Sequence, residues 1–367
     1  VYDLANRRRL IELGEDLVNK TYDAGINDKA SEIIEETEAM LFRLAEEGGT
    51  EKGFQSFKTA LNTAIAMAEA AHKREGDFSG LPTGLSDLDR LLGGMHHSDL
   101  IILAGRPAMG KTALAANIGM NAARDHGAQV GFFSLEMSAD QLAMRLLSDQ
   151  AEVSSEKIRR GELTNEDFER VFQASRQLEH LNFSFDDTPA ITVGAMRTRA
   201  RRLKRQQGLD LIIVDYLQLM RGSAGGSENR VNEISEITRG LKAIAKELDV
   251  PVIALSQLSR QVESRDDKKP QLSDLRESGS IEQDADVVMF VFREEYYLSK
   301  AEPLRKPEES QEKFDERYAA WQMRMEEVHG QAKVIVAKQR HGPTGDVDLA
   351  FEGQFTRFSD LIRDEYM

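Results

Sequence analysis

The sequence predicts an α/β protein with a mainly parallel sheet, helices on both faces of that sheet, and an α-helical segment before it. From Gly80 onward, short apolar runs rich in Ile, Val and Phe alternate with amphipathic helical stretches. This alternation is typical of parallel strands that are buried on both faces and joined by helices. Before Gly80, apolar residues such as Ile33, Met40, Leu41 and Leu44 recur on one helical face instead.

The individual elements follow from the same runs in chain order. Strands are predicted over 100–104, 130–135, 211–215, 250–256, 287–292 and 332–337. Helices are predicted near 111–124, 139–148, 193–205 and 231–248. Two further runs, 346–351 and 354–358, predict a hairpin at an edge of the sheet. Residues 299–330 are a charged, helix-prone insert that we expect to be a surface excursion.

Composition narrows the function classes. The 367 residues include 63 acidic and 48 basic side chains, a net charge of -15, and no cysteine. The absence of cysteine excludes disulfides, thiolate nucleophiles and cysteine zinc sites. No apolar run approaches the ~20 residues that span a bilayer, so we expect no membrane partner. The lack of cysteine favours a reducing cytoplasm as the location, although it also fits an exported protein. A protein this acidic binds nucleic acid only through a locally basic surface.

A phosphate-binding loop is predicted at residues 105–112, whose sequence Gly-Arg-Pro-Ala-Met-Gly-Lys-Thr matches GxxxxGK[ST]. The match follows a predicted strand and opens a predicted helix, so backbone N–H groups can surround phosphate oxygens. Lys111 is expected to neutralise the β- and γ-phosphates, and Thr112 to ligate Mg²⁺. The predicted cofactors are therefore ATP and Mg²⁺. The predicted nucleotide-binding residues are Gly105, Arg106, Pro107, Ala108, Met109, Gly110, Lys111, Thr112 and Ala113.

Three strand ends complete the predicted catalytic site. Asp215 ends an apolar strand and is expected to hold Mg²⁺ with Thr112. Because Tyr216 follows it in place of Glu, the base that activates water must come from elsewhere, and Glu136 is the candidate in a RecA-like arrangement. The alternative for Glu136 is a solvated side chain or a helix N-cap. Gln257 is expected to sense the γ-phosphate, the alternative being an ordinary polar strand end.

Taken together, these motifs closely resemble the replicative DNA helicases of the bacterial DnaB family, over residues 1–351 apart from the insert. The segments that carry the resemblance are 80–85 with 88–89, 105–112, 134–137, 214–220, 254–260, 274–286 and 336–345. The resemblance implies a RecA-like P-loop ATPase core. It also implies a homo-hexameric ring that hydrolyses ATP between subunits and moves 5′ to 3′ along single-stranded DNA. A helicase loader and primase are the further partners that it implies.

The same resemblance assigns roles that spacing alone does not show. Residues 274–286 resemble the segment with the DNA-contacting loop, in which Arg276, Glu277 and Gly279 are expected to bind DNA. Residues 338–345 resemble the segment that acts on a neighbouring subunit. In it, Arg340 is expected to be the arginine finger and Lys338 its companion.

The predicted organisation has three parts. Residues 1–27 are expected to be the end of an N-terminal helical region of which the rest is missing, 28–50 a linker helix, and 51–367 the ATPase and helicase domain. The linker helix either packs on its own domain or docks on a neighbouring subunit. Two other functions stay open on the residues alone. One is a RecA-like DNA-binding ATPase of recombination or clock type without unwinding activity, and the other is a non-enzymatic scaffold gated by nucleotide.

Overall fold

The computed structural model describes residues 2–23, 78–222, 230–275 and 279–361, with separate positions within 30–41 and 56–65. The chain forms two compact units, residues 1–77 with 194–202, and residues 78–193 with 203–367. In the smaller unit, α1 is the helix Tyr2–Asp23, as expected. The predicted linker helix lies largely outside the described residues, and its five described positions are helical.

The larger unit is built on a nine-stranded sheet in the order β3-β2-β4-β5-β1-β6-β7-β8-β9. The strands are β1 (Leu100–Gly105), β2 (Val130–Ser134), β3 (Phe183–Asp186), β4 (Leu211–Asp215), β5 (Val252–Gln257), β6 (Val287–Phe292), β7 (Gln331–Gln339), β8 (Gly345–Glu352) and β9 (Arg357–Asp360). Strands β1 to β6 pair in parallel, and β7 to β9 continue the sheet in antiparallel pairs. The predicted α/β class with a mainly parallel sheet is confirmed.

Helices connect and cover these strands. They are α2 (Ser86–Leu92), α3 (Lys111–His126), α4 (Ala139–Ala151), α5 (Ser155–Arg160), α6 (Asn165–Leu178), α7 (Val193–Gln207), α8 (Arg230–Leu248), α9 (Gly279–Asp284), α10 (Glu294–Lys300) and α11 (Gln311–Val328). Reciprocal capping boxes fix the starts of two of these helices. Ser138 caps α4 in a reciprocal capping box with Gln141, and Thr164 caps α6 in the same way with Asp167.

Two strand predictions need correction. Strand β3, Phe183–Asp186, is missing from the predictions because it has four residues, all half-buried, at the outer edge of the sheet. Such a short edge strand carries no long apolar run. The predicted hairpin exists, but its second strand begins at Arg357, because residues 353–356 form the turn.

The insert is helical and lies on the surface, as expected. The rings of Phe314, Tyr318 and Trp321 contact one another along α11, and Trp321 Nε1 donates a hydrogen bond of 2.9 Å to the Leu298 carbonyl of α10. Most other positions of α11 are exposed.

Candidate active site

The carboxyl ends of four neighbouring parallel strands bring the predicted catalytic residues to one edge of the sheet. Gly105 at the end of β1 lies beside Gln257 at the end of β5. Ser134 at the end of β2 pairs with Asp215 at the end of β4, and β4 lies next to β5. This edge is where parallel sheets bind ligands, because the connecting loops open a crevice there.

The phosphate loop connects β1 to the N-terminus of α3. Its backbone has positive φ at Ala108 (66°) and at Gly110 (95°). A Cβ atom at Gly110 would lie 2.8 Å from Cζ of Phe358, so only glycine fits there. The Lys111 ammonium points back over the loop and donates a 3.4 Å hydrogen bond to the Arg106 carbonyl. The arrangement places N–H groups and a cation around one small space, which suits a phosphate group.

Lys111 is the central cation of this site. Burial lowers the pKa of its ammonium, and the nearby Asp215 and Glu136 carboxylates oppose that shift. Bound phosphate oxygens would add negative charge next to the ammonium and favour its charged form further.

Asp215 and Thr112 form the predicted metal-binding pair. The Thr112 hydroxyl donates a 2.8 Å hydrogen bond to Asp215 Oδ2. The pKa of Asp215 is raised to about 6, mainly by burial and also by the Glu136 charge, while the Thr112 hydrogen bond and the Lys111 charge oppose this shift. A carboxylate and a hydroxyl beside a phosphate loop are the hard oxygen donors that Mg²⁺ prefers, so the residues present fit this ion. The Asp215–Tyr216 peptide bond is cis.

Glu136 is exposed and faces the same cavity as Lys111 and Thr112. The segment that carries it is fixed to β4 by a 2.7 Å hydrogen bond from Leu135 N to the Asp215 carbonyl. The N-cap alternative for Glu136 is wrong, because Ser138 caps the following helix. The cavity has a volume of about 300 Å³. Its lining residues are Pro107, Ala108, Gly110, Lys111, Thr112, Ala113, Glu136, Met137, Arg145, Tyr216, Gln257, Phe351 and Thr356.

Gln257 also lines this cavity, at the tip of β5. Its backbone N–H donates to Gln218 Oε1 at 3.3 Å, and Gln218 Nε2 donates to Ser256 Oγ at 3.0 Å. Gln218 therefore holds the strand end from the segment that follows β4. A movement of Gln257 would reach that segment through these two bonds.

Two residues of the phosphate loop turn their side chains away from the cavity. Arg106 is buried, and its guanidinium pairs with Glu263 at 2.8 Å and donates to the Leu258 carbonyl at 2.9 Å. Met109 is buried in the core. Any contact that these two residues make with nucleotide is therefore a backbone contact, while the Arg106 side chain ties the loop to the segment after β5.

The sequence predictions missed five cavity residues, Met137, Arg145, Tyr216, Phe351 and Thr356. Phe351 and Thr356 come from the β8–β9 hairpin, more than 200 residues after the phosphate loop. The Arg293 guanidinium lies 3.9 Å from the centre of the Phe351 ring and donates to the Ala108 carbonyl at 3.5 Å. No local pattern signals such residues, since their position depends on the order of strands at the antiparallel edge.

Lys338 and Arg340 lie apart from this cavity. Lys338 lies in β7 and Arg340 follows it, at the end of β7 that pairs with the start of β6, where Gln339 is opposite Val287. The Lys338 ammonium donates to the carbonyls of Glu282 and Ala285. The Arg340 guanidinium donates to the Gln283 carbonyl at 3.0 Å. Both cations therefore sit at the opposite edge of the sheet from their own phosphate loop.

The predicted DNA-binding segment is described only in part. Arg276 and Glu277 lie outside the described residues. Gly279 begins α9, and a Cβ atom placed there would meet no atom within 4 Å. Open space on one side of this backbone is compatible with close approach of a ligand.

The described ranges hold neither a metal-binding cluster of acidic and histidine side chains nor a membrane-spanning helix. Nowhere in them do three or more His, Cys, Asp or Glu side chains gather as a metal-binding cluster. Among the helices of that part of the chain, none has the length and apolar character needed to cross a bilayer.

Comparison with known proteins agrees with this geometry. The model of the DnaB-like helicase C-terminal domain matches residues 80–360. The replicative DNA helicase DnaB of Rickettsia bellii is 51% identical over 371 residues, which cover 98% of this chain and 74% of that protein. The replicative DNA helicase DnaC of Bacillus subtilis is 42% identical over 356 residues, which cover 97% of this chain and 72% of that protein.

Solved structures agree as well. A DnaB-like replicative helicase, studied with its interactions with primase, superposes with a TM-score of 0.77 at 32% identity and covers 98% of this chain and 77% of its own. A second solved structure, of an ATPase domain, superposes with a TM-score of 0.72 at 36% identity, over 84% of this chain and all of its own.

Proposed function

This chain belongs to the family of DnaB-like replicative DNA helicases, and from that membership we propose that it works as a ring of six copies moving 5′ to 3′ along single-stranded DNA. Its activity is ATP-dependent DNA unwinding in replication, and the recombination- or clock-type alternative is not favoured. Ring assembly, direction of movement and the role of each residue are the parts that we propose.

The position of Arg340 carries the proposal of a ring. Strand β6 starts opposite Ile101 of β1, and β1 runs four residues further before the phosphate loop begins. At ~3.3 Å per residue, the start of β6 and the start of the phosphate loop are therefore about 13 Å apart along the strand direction. Arg340 is held at the far end by the Gln283 carbonyl. It therefore serves a phosphate on a neighbouring copy, with Lys338 beside it, and a closed ring gives every copy such a neighbour.

Within one copy, the cavity residues divide the chemistry of hydrolysis. Lys111 and the loop N–H groups hold the phosphates, and Glu136 takes the proton of the attacking water. Gln257 contacts the γ-phosphate and reports its loss through Gln218. Thr112 and Asp215 would hold Mg²⁺, which supplies charge neutralisation at the β- and γ-oxygens.

The DNA contacts are proposed for the segment before α9. Arg276 binds a backbone phosphate, and the backbone N–H groups from Glu277 to Gly279 bind a second one. Recognition of this kind reads no base, so it suits a motor that must pass every sequence. A helicase loader and primase are the proposed protein partners, and the cytoplasm, at the nucleoid, is the proposed location.

Two forked DNA substrates test this function. In one, the strand that the ring encircles has a 5′ single-stranded tail, and in the other it has a 3′ tail. We expect ATP-dependent unwinding of the 5′-tailed fork only, and a mass of six chains by light scattering with ATP present. The Lys111→Ala variant is the matched control, because it removes the phosphate contact and should unwind neither fork. Single-stranded DNA that raises ATP turnover without any unwinding would instead favour the alternative ATPase.

A further inference from the structure

We propose that Asp286 is the positioning residue for Arg340, holding the guanidinium ready for the ATP of the neighbouring copy. This inference rests on the proposed role of Arg340 across the subunit boundary and names the residue on which that role depends. Asp286 is the residue just before β6 and is only 3% exposed. The sequence predictions gave it no role.

Asp286 holds Arg340 at two points. Its carbonyl accepts a 2.8 Å hydrogen bond from Arg340 N, which fixes the backbone. Its carboxylate Oδ1 lies 3.6 Å from Arg340 Nη1, while Nη2 donates to the Gln283 carbonyl. The Arg340 side chain nevertheless remains 45% exposed. One side of the guanidinium is thus oriented from within the chain and the other faces outward.

The Asp286 carboxylate is itself rigidly held. Its Oδ2 accepts a 2.8 Å hydrogen bond from Leu100 N and a further one from the Lys242 ammonium. Leu100 is the first residue of β1, the strand that leads to the phosphate loop, and Lys242 also donates to the Ser98 carbonyl at 2.7 Å. A buried carboxylate with two fixed donors on one oxygen cannot rotate freely, so its other oxygen is a fixed reference for Arg340.

The same contact between Asp286 and Arg340 has a second possible effect, which would slow ATP hydrolysis instead of supporting it. An ion pair with Asp286 competes with phosphate for the guanidinium, so the contact could hold Arg340 in reserve and slow the reaction. Positioning differs from such storage in its effect on rate. Loss of positioning lowers kcat, because a misplaced group costs up to about 100-fold, whereas loss of storage raises it.

The Asp286→Asn variant tests the difference. Asparagine keeps the shape and an acceptor for Leu100 N but removes the charge that faces Arg340. We expect the kcat of DNA-stimulated ATP hydrolysis to fall up to about 100-fold, with the KM for ATP little changed, because the phosphate cavity is untouched. Asp346→Asn is the matched control. It removes the carboxylate of another ion pair, between Asp346 of β8 and Lys269 at 2.6 Å, at a more exposed position, and should leave kcat unchanged.

Two further measurements distinguish the positioning of Arg340 by Asp286 from a purely structural role of Asp286. The double variant Asp286→Asn with Arg340→Ala should be no slower than Arg340→Ala alone, because both changes remove one interaction. If Asp286→Asn fails to fold because Lys242 loses its partner, Asp286→Asn combined with Lys242→Met removes both charges and should show the same loss of kcat. A rise in kcat, or an added loss in the double variant with Arg340→Ala, would overturn the proposal.

Mixed rings distinguish an error in the role of Asp286 from an error in the proposed role of Arg340 on which it rests. Copies with Arg340→Ala and copies with Lys111→Ala, co-expressed, should recover ATPase activity, since the intact phosphate loop of one meets the intact Arg340 of the other. Mixtures of Asp286→Asn with Lys111→Ala should recover similarly. Recovery in the first mixture alone rejects the role of Asp286, whereas no recovery in verified mixed rings rejects the proposed action of Arg340 on a neighbouring copy, and this inference with it.

Discussion

Lys111 and Glu136 face one cavity but have different proposed roles in ATP hydrolysis, so their variants should fail differently. Lys111→Ala removes the cation at the phosphates, and we expect both ATP binding and turnover to be lost. Glu136→Gln keeps size and polarity but cannot accept the proton. It should bind ATP normally and turn over about 10²–10⁴-fold more slowly. Nucleotide binding by calorimetry and steady-state ATPase rates measure the two effects.

The control for Glu136 is Asp140→Asn, a nearby exposed acid in the first turn of α4 that does not line the cavity. It should leave both binding and rate unchanged. Wild-type turnover by Glu136→Gln would show that another group activates the water.

Asp149 makes a second residue-scale prediction, about stability. It is 4% exposed, and Asn117 Nδ2 donates to it at 2.7 Å. Burial raises the pKa of Asp149 to about 6 from its usual 3.8, against the opposing charge of Arg357. The folded state therefore binds the proton more tightly than the unfolded state. The stability from this proton is present below pH ~4 and is lost as pH rises through about 6.

Asparagine does not titrate, so the Asp149→Asn variant does not lose this stability as pH rises. Its free energy of unfolding should rise relative to wild type as pH rises from about 4 to about 6, by up to about 3 kcal/mol. Denaturant unfolding of both proteins across this range gives the difference. Asp125→Asn serves as control, because the Arg124 hydrogen bond lowers the pKa of that exposed acid and it stays charged throughout. A constant gap between wild type and Asp149→Asn would refute the shift.

At the scale of elements, the phosphate loop depends on its contact with the β8–β9 hairpin. Gly110 has φ of 95° and leaves no room for a Cβ beside the Phe358 ring. Gly110→Ala should therefore disturb both the loop and the hairpin, lowering stability and weakening ATP binding. Gly127→Ala, at the end of α3, also has positive φ (64°) but meets no atom within 4 Å. It should cost only about 1 kcal/mol and leave ATP binding intact.

Thermal unfolding and ATP titration of the two variants measure this difference. Equal losses of stability would show that backbone strain, rather than the Phe358 contact, dominates at Gly110. Equal ATP affinities would show that the hairpin does not shape the loop.

The secondary-structure elements also show which parts of the fold the local sequence pattern can predict. Strands β1, β4 and β6 are continuous apolar runs buried on both faces, and such runs are visible in the sequence. Helix α6 escaped prediction although its Thr164 and Asp167 form a recognisable capping box, because most of the helix is exposed and polar. Strand β3 is too short to carry a signal.

The same reasoning applies to the candidate site. Asp215, Glu136 and Gln257 could be predicted, because each lies at the end of a buried strand and parallel strands end at a common edge. Phe351 and Thr356 could not, because they reach the cavity through the order of the antiparallel strands. The outward direction of the Arg106 side chain depends likewise on Glu263, a contact that only the folded chain creates.

At the scale of the whole molecule, charge sets the terms of DNA binding. Each copy carries -15, so the proposed ring of six would carry six times that amount and would repel DNA at long range. Binding must therefore come from a few local cations in the path of the DNA. We expect affinity for single strands to be independent of sequence and to fall steeply with salt, because phosphate contacts release counterions.

The salt dependence gives a count of those contacts and hence a test of Arg276. Each phosphate contact on a single strand contributes about 0.7 to the slope of log affinity against log salt. If six copies each place one Arg276 on a phosphate, Arg276→Ala should reduce the slope by about 4 and weaken binding to all sequences alike.

Arg305→Ala removes the same charge from an exposed site in the insert and should leave the slope unchanged. Fluorescence anisotropy of labelled oligonucleotides at several salt concentrations measures both slopes. An unchanged slope in Arg276→Ala would place the DNA contact elsewhere on the ring, and basal ATPase at the wild-type rate shows that the variant is folded.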